Sequence, residues 1–318
     1  MLKLVNLLFF REIKKSYFII ILAIILITSF VVNFLSYNHY ESDNNLINVQ
    51  SKLNEEEFLK LYPNRNYNRY VELYEDYIDE VIKATKLNNY EIVNNLYSFD
   101  TIYQFQVFLS IISIIVGSSL LMNEFKCGTI KHFLVKKYSR FKIYFAFFLT
   151  VVLLVLLINL FLFISYTLSM ICVDKSFDLL YITKSVVLND KVVDINYYYL
   201  TFTKFICNSL PIIFVGILSF FISLALFNKV FSISFMFFVN VFGLVIFQWL
   251  LNFDISFLMY SFLPYLDYTI FNDRLSLVEF NMQYGTNLSL FNGNLLLFVY
   301  AILGFVISSL LFLKKDIN

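Results

Sequence analysis

Six long apolar runs alternate with polar segments along the chain. A helix rises 1.5 Å per residue, so about 20 apolar residues cross the hydrocarbon core of a bilayer. The six runs cover residues 17–35, 102–122, 143–170, 205–227, 230–251 and 295–313. The first run lacks a small-residue cleavage site, so we interpret it as a retained span and not as a signal peptide. The pattern predicts an all-α polytopic membrane protein with six transmembrane helices.

The polar segments predict two further features. Residues 1–16 place apolar side chains at helical spacing among bases, which is typical of a helix lying in the membrane interface; a basic lead-in to the first span is the alternative. Residues 37–101 are polar, and the helical spacing of Tyr70, Leu73, Tyr77 and Val81 predicts a small helical extracytoplasmic domain. The chain therefore divides into residues 1–36, 37–101 and 102–318.

Two short segments complete the predicted architecture. Only residues 228–229 separate the fourth and fifth spans, which predicts a tight antiparallel helical hairpin. Residues 252–294 are apolar and aromatic but contain Pro264 and Asp267. We expect this segment to enter the outer leaflet as one or two short helices buried against protein, without spanning the bilayer.

The charges are distributed unevenly between the two predicted sides. With the N-terminus in the cytoplasm, the inner segments hold 13 bases and three acids, whereas the outer segments hold 11 bases and 20 acids. Cytoplasmic loops of membrane proteins carry an excess of Lys and Arg. The sequence therefore predicts a multi-pass protein of the plasma membrane with both termini in the cytoplasm.

The composition and the missing motifs exclude several functions. The chain is 59% hydrophobic and 15% charged, and it contains no G-x-x-x-x-G-K-[ST] phosphate-binding motif and no H-E-x-x-H metal motif. The predicted spans contain no Asp, Glu, Lys, Arg or His, which argues against an ion-coupled transporter and against an intramembrane enzyme. We expect no metal, no cofactor and no nucleic-acid partner. Cys172 and Cys207 are interpreted as unpaired cysteines, with a disulfide as the alternative.

Polar residues inside the spans have two interpretations. Hydrogen bonding between helices is the favoured one. Contact with a transported substrate is the weaker alternative. The residues are Asn159, Asn208, Asn240 and Gln248, of which Asn159, Asn240 and Gln248 are the candidates for a substrate path.

The loop at residues 123–142 carries the strongest functional signal. It contains six bases and one acid, Glu124. Gly128 is expected to end the helix that leaves the second span, and Thr129 to cap a short new helix. That helix would have an apolar face formed by Ile130, Phe133, Leu134 and Tyr138. Such a helix could transmit force from a cytoplasmic partner into two spans; a basic loop that only fixes the topology is the alternative.

These residues resemble a known family. Permease subunits of type-2 ABC exporters carry a Glu, then Gly-Thr, then an apolar pair, then Ser-Arg before the third span. The corresponding residues here are Glu124, Gly128, Thr129, Ile130, Phe133, Leu134, Ser139 and Arg140. The family often has a proline just before Ser-Arg, where this chain has Lys137 and Tyr138. The six spans, the basic N-terminus and the broken apolar segment before the last span are also similar to this family.

The resemblance implies a half-transporter in a bacterial membrane. It would pair with a second permease, identical or different, and be surrounded by membrane lipids. Two cytoplasmic ABC ATPase subunits would dock on the loop and hydrolyse ATP, so the chain itself would not be an enzyme. The cargo would be a substrate such as an antimicrobial peptide, a drug or a lipid. The alternative is a membrane sensor or scaffold whose extracytoplasmic domain binds a ligand.

Overall fold

The computed structural model describes residues 2–47, 101–135, 138–174, 183–188, 191–251, 260–266, 277, 280–281 and 286–314. In this part of the chain, helix α1 spans Leu2–Ile13, α2 Ser16–Ile47, α3 Thr101–Lys126, α4 Ile130–Val135 and α5 Arg140–Asp174. Strands β1 (Thr183–Leu188) and β2 (Lys191–Asn196) follow. Helices α6 (Tyr197–Leu226) and α7 (Lys229–Leu251), a 3-10 turn (Leu263–Tyr265) and helix α8 (Leu290–Lys314) complete it.

Six of the described helices are long and apolar enough to cross a membrane. The apolar stretches are Ser16–Phe34, Phe108–Lys126, Arg140–Cys172, Phe205–Leu226, Lys229–Leu251 and Phe291–Lys314. Each overlaps one predicted span, so the prediction of a helical, membrane-embedded protein is confirmed. Several helices extend beyond the predicted spans: α2 continues to Ile47, and α6 already begins at Tyr197.

An antiparallel β-hairpin interrupts the helices between α5 and α6. Strands β1 and β2 pair from Thr183 opposite Asn196 to Leu188 opposite Lys191. The all-α prediction did not include this hairpin. The sequence signal is present, because valine-rich runs flank the dipeptide Asn189-Asp190, a combination typical of a strand, a turn and a second strand.

The chain divides into two compact units. The first comprises Met1–Leu26, Asp100–Ile164 and Thr203–Asn318, and the second comprises Ile27–Phe99 and Ser165–Phe202. In the second unit, the buried Asn33 of α2 donates from Nδ2 to Ser169 Oγ and to the Tyr166 carbonyl of α5, the latter at 3.3 Å. Most of the predicted extracytoplasmic domain lies outside the described residues, so that domain stays a prediction.

In the first unit, α3 and α6 cross at very short distance. Gly117 lies against the backbone of Gly216, so closely that a Cβ on either residue would clash. Serine side chains make hydrogen bonds across the same contact: Ser113 Oγ donates to the Ile212 carbonyl at 2.7 Å, and Ser219 Oγ donates to the Ile114 carbonyl at 2.8 Å. Small residues and hydrogen bonds between helices are the usual means of packing in lipid, where no hydrophobic gain distinguishes a neighbouring helix from an acyl chain.

Helix α7 packs on this pair through one narrow stripe. Its buried residues recur every three or four positions and so lie on one helix face: Ser232, Met236, Asn240, Gly243 and Phe247. The predicted tight hairpin with α6 is present, since α6 ends at Leu226 and α7 begins at Lys229. Ser232 Oγ donates to the Ser219 carbonyl at 2.8 Å and joins the two helices.

The described part of the predicted re-entrant segment packs against α7 and α8. The 3-10 turn places the Leu263 side chain beside Gly243 of α7 and the Tyr265 ring directly against Gly293 of α8. Tyr265 and Leu266 belong to one apolar core with Phe214, Met236 and Leu297. Residues 252–259, 267–276, 278–279 and 282–285 lie outside the described part of the chain.

Candidate functional site

Several helix ends meet at one end of the first unit. Phe125, near the end of α3, packs edge-on against Phe227 beyond α6 and against Phe312 of α8, with ring centroids 5.1 and 6.1 Å apart. At the same end, Arg140 Nη1 at the start of α5 donates to the Leu313 carbonyl of α8 at 3.1 Å. We call this region the basic end, because the charged residues described next gather there.

Bases greatly outnumber acids at the basic end. The described bases that lie in the segments meeting there are Lys3, Arg11, Lys14, Lys15, Lys126, Lys131, Arg140, Lys142, Lys229 and Lys314. The described acids of the same segments are Glu12 and Glu124. These ten described bases come from stretches that are separate in sequence, and the stretches meet at one end of the same unit.

The corner between α3 and α4 depends on Gly128. Its φ is +69°, a left-handed conformation that only glycine adopts without strain, and it ends α3 as predicted. Thr129 follows at the position before α4, but its hydroxyl does not cap that helix. It donates to the Glu124 carboxylate instead, and also to the Glu124 carbonyl at 3.3 Å. Thr129 therefore fixes the corner to the end of α3.

Helix α4 has an anchored side and an exposed side. Ile130 is only 1% exposed, and the half-buried Phe133 packs edge-on against Phe147 of α5 at 6.1 Å between ring centroids. Lys131 and His132 are exposed. Ile130 and Phe133 thus pack α4 against the rest of the chain. The side that faces solvent is polar and basic. The Leu134 side chain lies outside the described residues.

A buried ion pair joins the first helix of the chain to this corner. Glu124 is 6% exposed, and its carboxylate accepts hydrogen bonds from Arg11 Nη2 of α1 and from Thr129 Oγ1. Burying a carboxylate is costly unless it is paired and hydrogen-bonded, and here both oxygens have a partner. Glu124 belongs to the loop pattern visible in the sequence, whereas its link to Arg11 has no signal there.

A second buried carboxylate extends this network. Glu12 is 2% exposed, and it accepts hydrogen bonds from Lys15 Nζ and from the Tyr17 hydroxyl, both at 2.6 Å. Arg11 Nη2 also lies 3.4 Å from Glu12 Oε1, so one guanidinium contacts both carboxylates. We call Arg11, Glu12, Lys15, Glu124 and Thr129 the charge network. Its two acids and two bases balance, and it connects α1 with the end of α3 and with the corner before α4.

Ser139 and Arg140 have roles within the chain. Ser139 Oγ accepts from the Lys142 backbone N–H at 3.4 Å, the position of an N-cap for α5. Arg140 donates to a carbonyl in the last turn of α8, where the helix dipole favours a cation. The motif residues therefore brace the start of α5 against the end of α8.

The candidates for a substrate path lie in two helices. Asn240 of α7 is buried, and its Nδ2 donates to Ser110 Oγ of α3 at 2.7 Å. Asn159 of α5 is buried, with its Oδ1 unpartnered in the described part of the chain. Gln248 of α7 is half-buried. The bond from Asn240 agrees with a helix-bridging role, and none of the three lines the large cavity described below.

The other candidate groups stay separate. Cys127, Cys172 and Cys207 are free, and Cys127 lies exposed at the corner beside Gly128. Among the described residues, no three His, Cys, Asp or Glu side chains are close enough together to hold a metal ion.

Comparison with known proteins assigns the chain to a family. The family described as "Protein of unknown function (DUF2705)" matches residues 62–318. The chain belongs to the DUF2705 family. A search of curated proteins found no match.

The DUF2705 match covers one side of the charge network. Glu124, Thr129 and the whole of α3 to α8 lie within the matched residues, whereas Arg11, Glu12 and Lys15 lie before them. The corner at Gly128 thus lies within the region that matches the family. Arg11 of α1, the partner of Glu124, lies outside that region.

Proposed function

We propose that the chain is the permease subunit of an ATP-driven exporter of the bacterial plasma membrane. In this role it pairs with a second permease, and separate cytoplasmic ABC ATPase subunits dock on helix α4. The cargo is an antimicrobial peptide, a drug or a lipid. The observation that carries the proposal is a short helix at the basic end that is anchored on one side and exposed on the other.

The packing around α4 suits the transmission of force. The ring contact between Phe133 and Phe147 connects α4 to α5, and the Thr129 hydroxyl connects its start to Glu124 at the end of α3. A displacement of α4 would therefore act on two spans at once. Through Glu124 and Arg11 it would also act on α1. A loop that only fixed the topology would not require these contacts.

The charge of the exposed side indicates the kind of partner. Lys131 and His132 face solvent, and Ile130 does not. We therefore assign the docking contact to the polar side of α4, so that the ATPase would present an acidic or hydrogen-bonding groove. In the orientation favoured by the excess of bases, this side lies in the cytoplasm, where ATP is available.

The test is purification of the tagged chain in mild detergent from the cells that produce it. We expect a subunit with a G-x-x-x-x-G-K-[ST] motif to copurify and to show ATPase activity in the complex. Lys131→Glu should weaken retention of that subunit by about tenfold, the equivalent of 1.4 kcal/mol. Lys3→Glu is the matched control, because it makes the same charge change at an exposed position of α1.

The possible results separate the candidate functions. Equal retention by the Lys131 and Lys3 variants would contradict docking on α4. A preparation that holds no such ATPase, under conditions that keep known transporter complexes intact, would contradict the exporter and favour the sensor or scaffold.

A further inference from the structure

A cavity of about 690 Å³ lies between the 3-10 turn and α8, and its lining includes no residue of the charge network. One face of α8 forms most of its wall: Asn292, Leu295, Leu296, Val299, Tyr300 and Leu303. Their spacing of three and four residues places them in a single stripe. The size falls within the range of small-molecule sites in proteins.

The cavity is polar at one end and apolar along the rest. Asn287 and Asn292 lie at the end where α8 begins, and their side-chain amides make no hydrogen bond within the described part of the chain. Leucine and valine side chains follow towards Leu303. This order along one helix, from amides to hydrocarbon, is the order of the two parts of an amphiphile.

The dimensions fit one leaflet of a bilayer. From Asn292 to Leu303 the helix advances 11 residues, or roughly 17 Å at 1.5 Å per residue. Half of the hydrocarbon core of a bilayer is about 15 Å. Leu295, Val299 and Leu303 are each about half exposed, so the cavity opens laterally along the span and not only at its end.

The opposite wall is built by aromatic residues that the fold holds in place. The Tyr265 ring lies directly against Gly293, where any side chain would displace it. The Tyr300 hydroxyl donates to the Tyr260 carbonyl at 2.9 Å and joins α8 to the residues before the 3-10 turn. Tyr265 is buried, and a tyrosine phenol is uncharged at neutral pH. The described lining residues include no Lys, Arg, Asp or Glu.

We propose that this cavity binds one acyl chain of a membrane amphiphile whose head is uncharged and bears hydroxyl groups, such as a mono- or diacylglycerol. The chain lies along Leu295, Val299 and Leu303, and the head accepts and donates hydrogen bonds at Asn287 and Asn292. The site takes its ligand from the surrounding leaflet through the lateral opening. This binding does not require the exporter function and would exist in a sensor as well.

The test is photolabelling of the purified full-length chain in lipid nanodiscs with a monoacylglycerol that carries a diazirine in its acyl chain. We expect the label on the peptide that contains residues 292–303. Val299→Trp fills the cavity and should reduce that labelling by about tenfold. Ile302→Trp is the matched control, because Ile302 is similarly exposed on α8 but does not line the cavity. The labelling of this variant should equal that of the unchanged chain.

Other results would overturn the proposal. Equal labelling of both tryptophan variants would show only contact with the general lipid annulus. Label on Phe298 and Ile302 as strong as the label on the lining residues would show the same. Equal labelling by a photoactivatable fatty acid of the same chain length would contradict the uncharged head. Absence of label together with a dimer that Val299→Trp dissociates would assign the cavity to a second copy of the chain.

Discussion

Arg11 is the residue of the charge network whose side chain contacts both buried carboxylates. Its guanidinium contacts Glu124 and Glu12, which are 6% and 2% exposed. Glu12 retains Lys15 and Tyr17 as partners without Arg11, whereas Glu124 retains only the Thr129 hydroxyl in the described part of the chain. The two carboxylates therefore depend on Arg11 to different degrees.

Arg11→Ala is expected to reduce the free energy of unfolding by about 1–3 kcal/mol, the usual cost of leaving a buried polar group without its partner. Unfolding titrations in mixed micelles measure this change, and Lys14→Ala, an exposed neighbour on α1, is the control. The double variant with Glu124→Ala should lose less than the sum of the two single variants, since the unpaired carboxylate is then absent. Simple additivity would mean that the two side chains do not interact.

At the scale of elements, the crossing of α3 and α6 depends on the absence of two side chains. Gly117 and Gly216 bring the two backbones together, and this contact allows the serine hydroxyls to reach carbonyls on the neighbouring helix. Hydrogen bonds between helices in lipid contribute roughly 0.6 kcal/mol each on average. Close backbone contact over the whole crossing therefore contributes more to the stability of the α3–α6 pair than any one of these hydrogen bonds.

Gly117→Ala should destabilise the chain by about 1–3 kcal/mol, because the new methyl group forces the helices apart. Gly243→Ala is the matched control: it lies inside α7, and its Cβ would make only ordinary contacts with Leu263 and Leu266. That variant should be neutral or slightly more stable, since alanine is the better helix former. Thermal unfolding followed by size-exclusion chromatography distinguishes them. Equal losses in both variants would contradict the proposed clash.

The elements also differ in how well the sequence predicts them. The spans follow from hydropathy alone, because a bilayer accepts few other structures. The break at Gly128 follows from the backbone freedom of glycine, and the φ of +69° confirms it. The exact helix ends do not follow, since α2 and α6 continue past the apolar runs into polar sequence that nothing in the hydropathy pattern requires to be helical.

The candidate site was only partly predictable. Glu124 and the corner at Gly128 lie close together in sequence and form a visible pattern. The partner of Glu124 lies 113 residues away, and Arg11 has the same appearance as any base that fixes topology. Thr129 was expected to cap α4, but its hydroxyl donates to the buried Glu124 carboxylate, and hydrogen bonds to an ionised acceptor are stronger than those between neutral groups. Such choices depend on tertiary contacts.

At the scale of the whole molecule, the excess of bases at one end predicts the sidedness of the protein. The exposed Cys127 reports on this end, and the other cysteines can be removed by Cys172→Ala and Cys207→Ala. In intact cells, a membrane-impermeant maleimide should leave Cys127 unlabelled, and permeabilisation should allow the label to react. The reason is that the positive-inside rule predicts a cytoplasmic position for the basic end.

The control for sidedness uses the start of α6. Tyr199 is 63% exposed there, and Tyr199→Cys in a chain otherwise without cysteine should be labelled in intact cells. Labelling of Cys127 in intact cells, with Tyr199→Cys protected, would reverse the proposed orientation and place α4 out of reach of any cytoplasmic ATPase.

The link between Arg11 and Glu124 has a consequence for biogenesis. The two residues are 113 positions apart, so at about 5–20 residues per second the ribosome needs roughly 6–23 s after making Arg11 before Glu124 is made. During this interval α1 must wait at the membrane without its acceptor on α3. Lys15 and Tyr17 are both within five positions of Glu12 and can satisfy its carboxylate from the start. The nascent chain therefore has local partners for Glu12. The bond from Arg11 to Glu124 can form only after the second span has been made and has packed against α1.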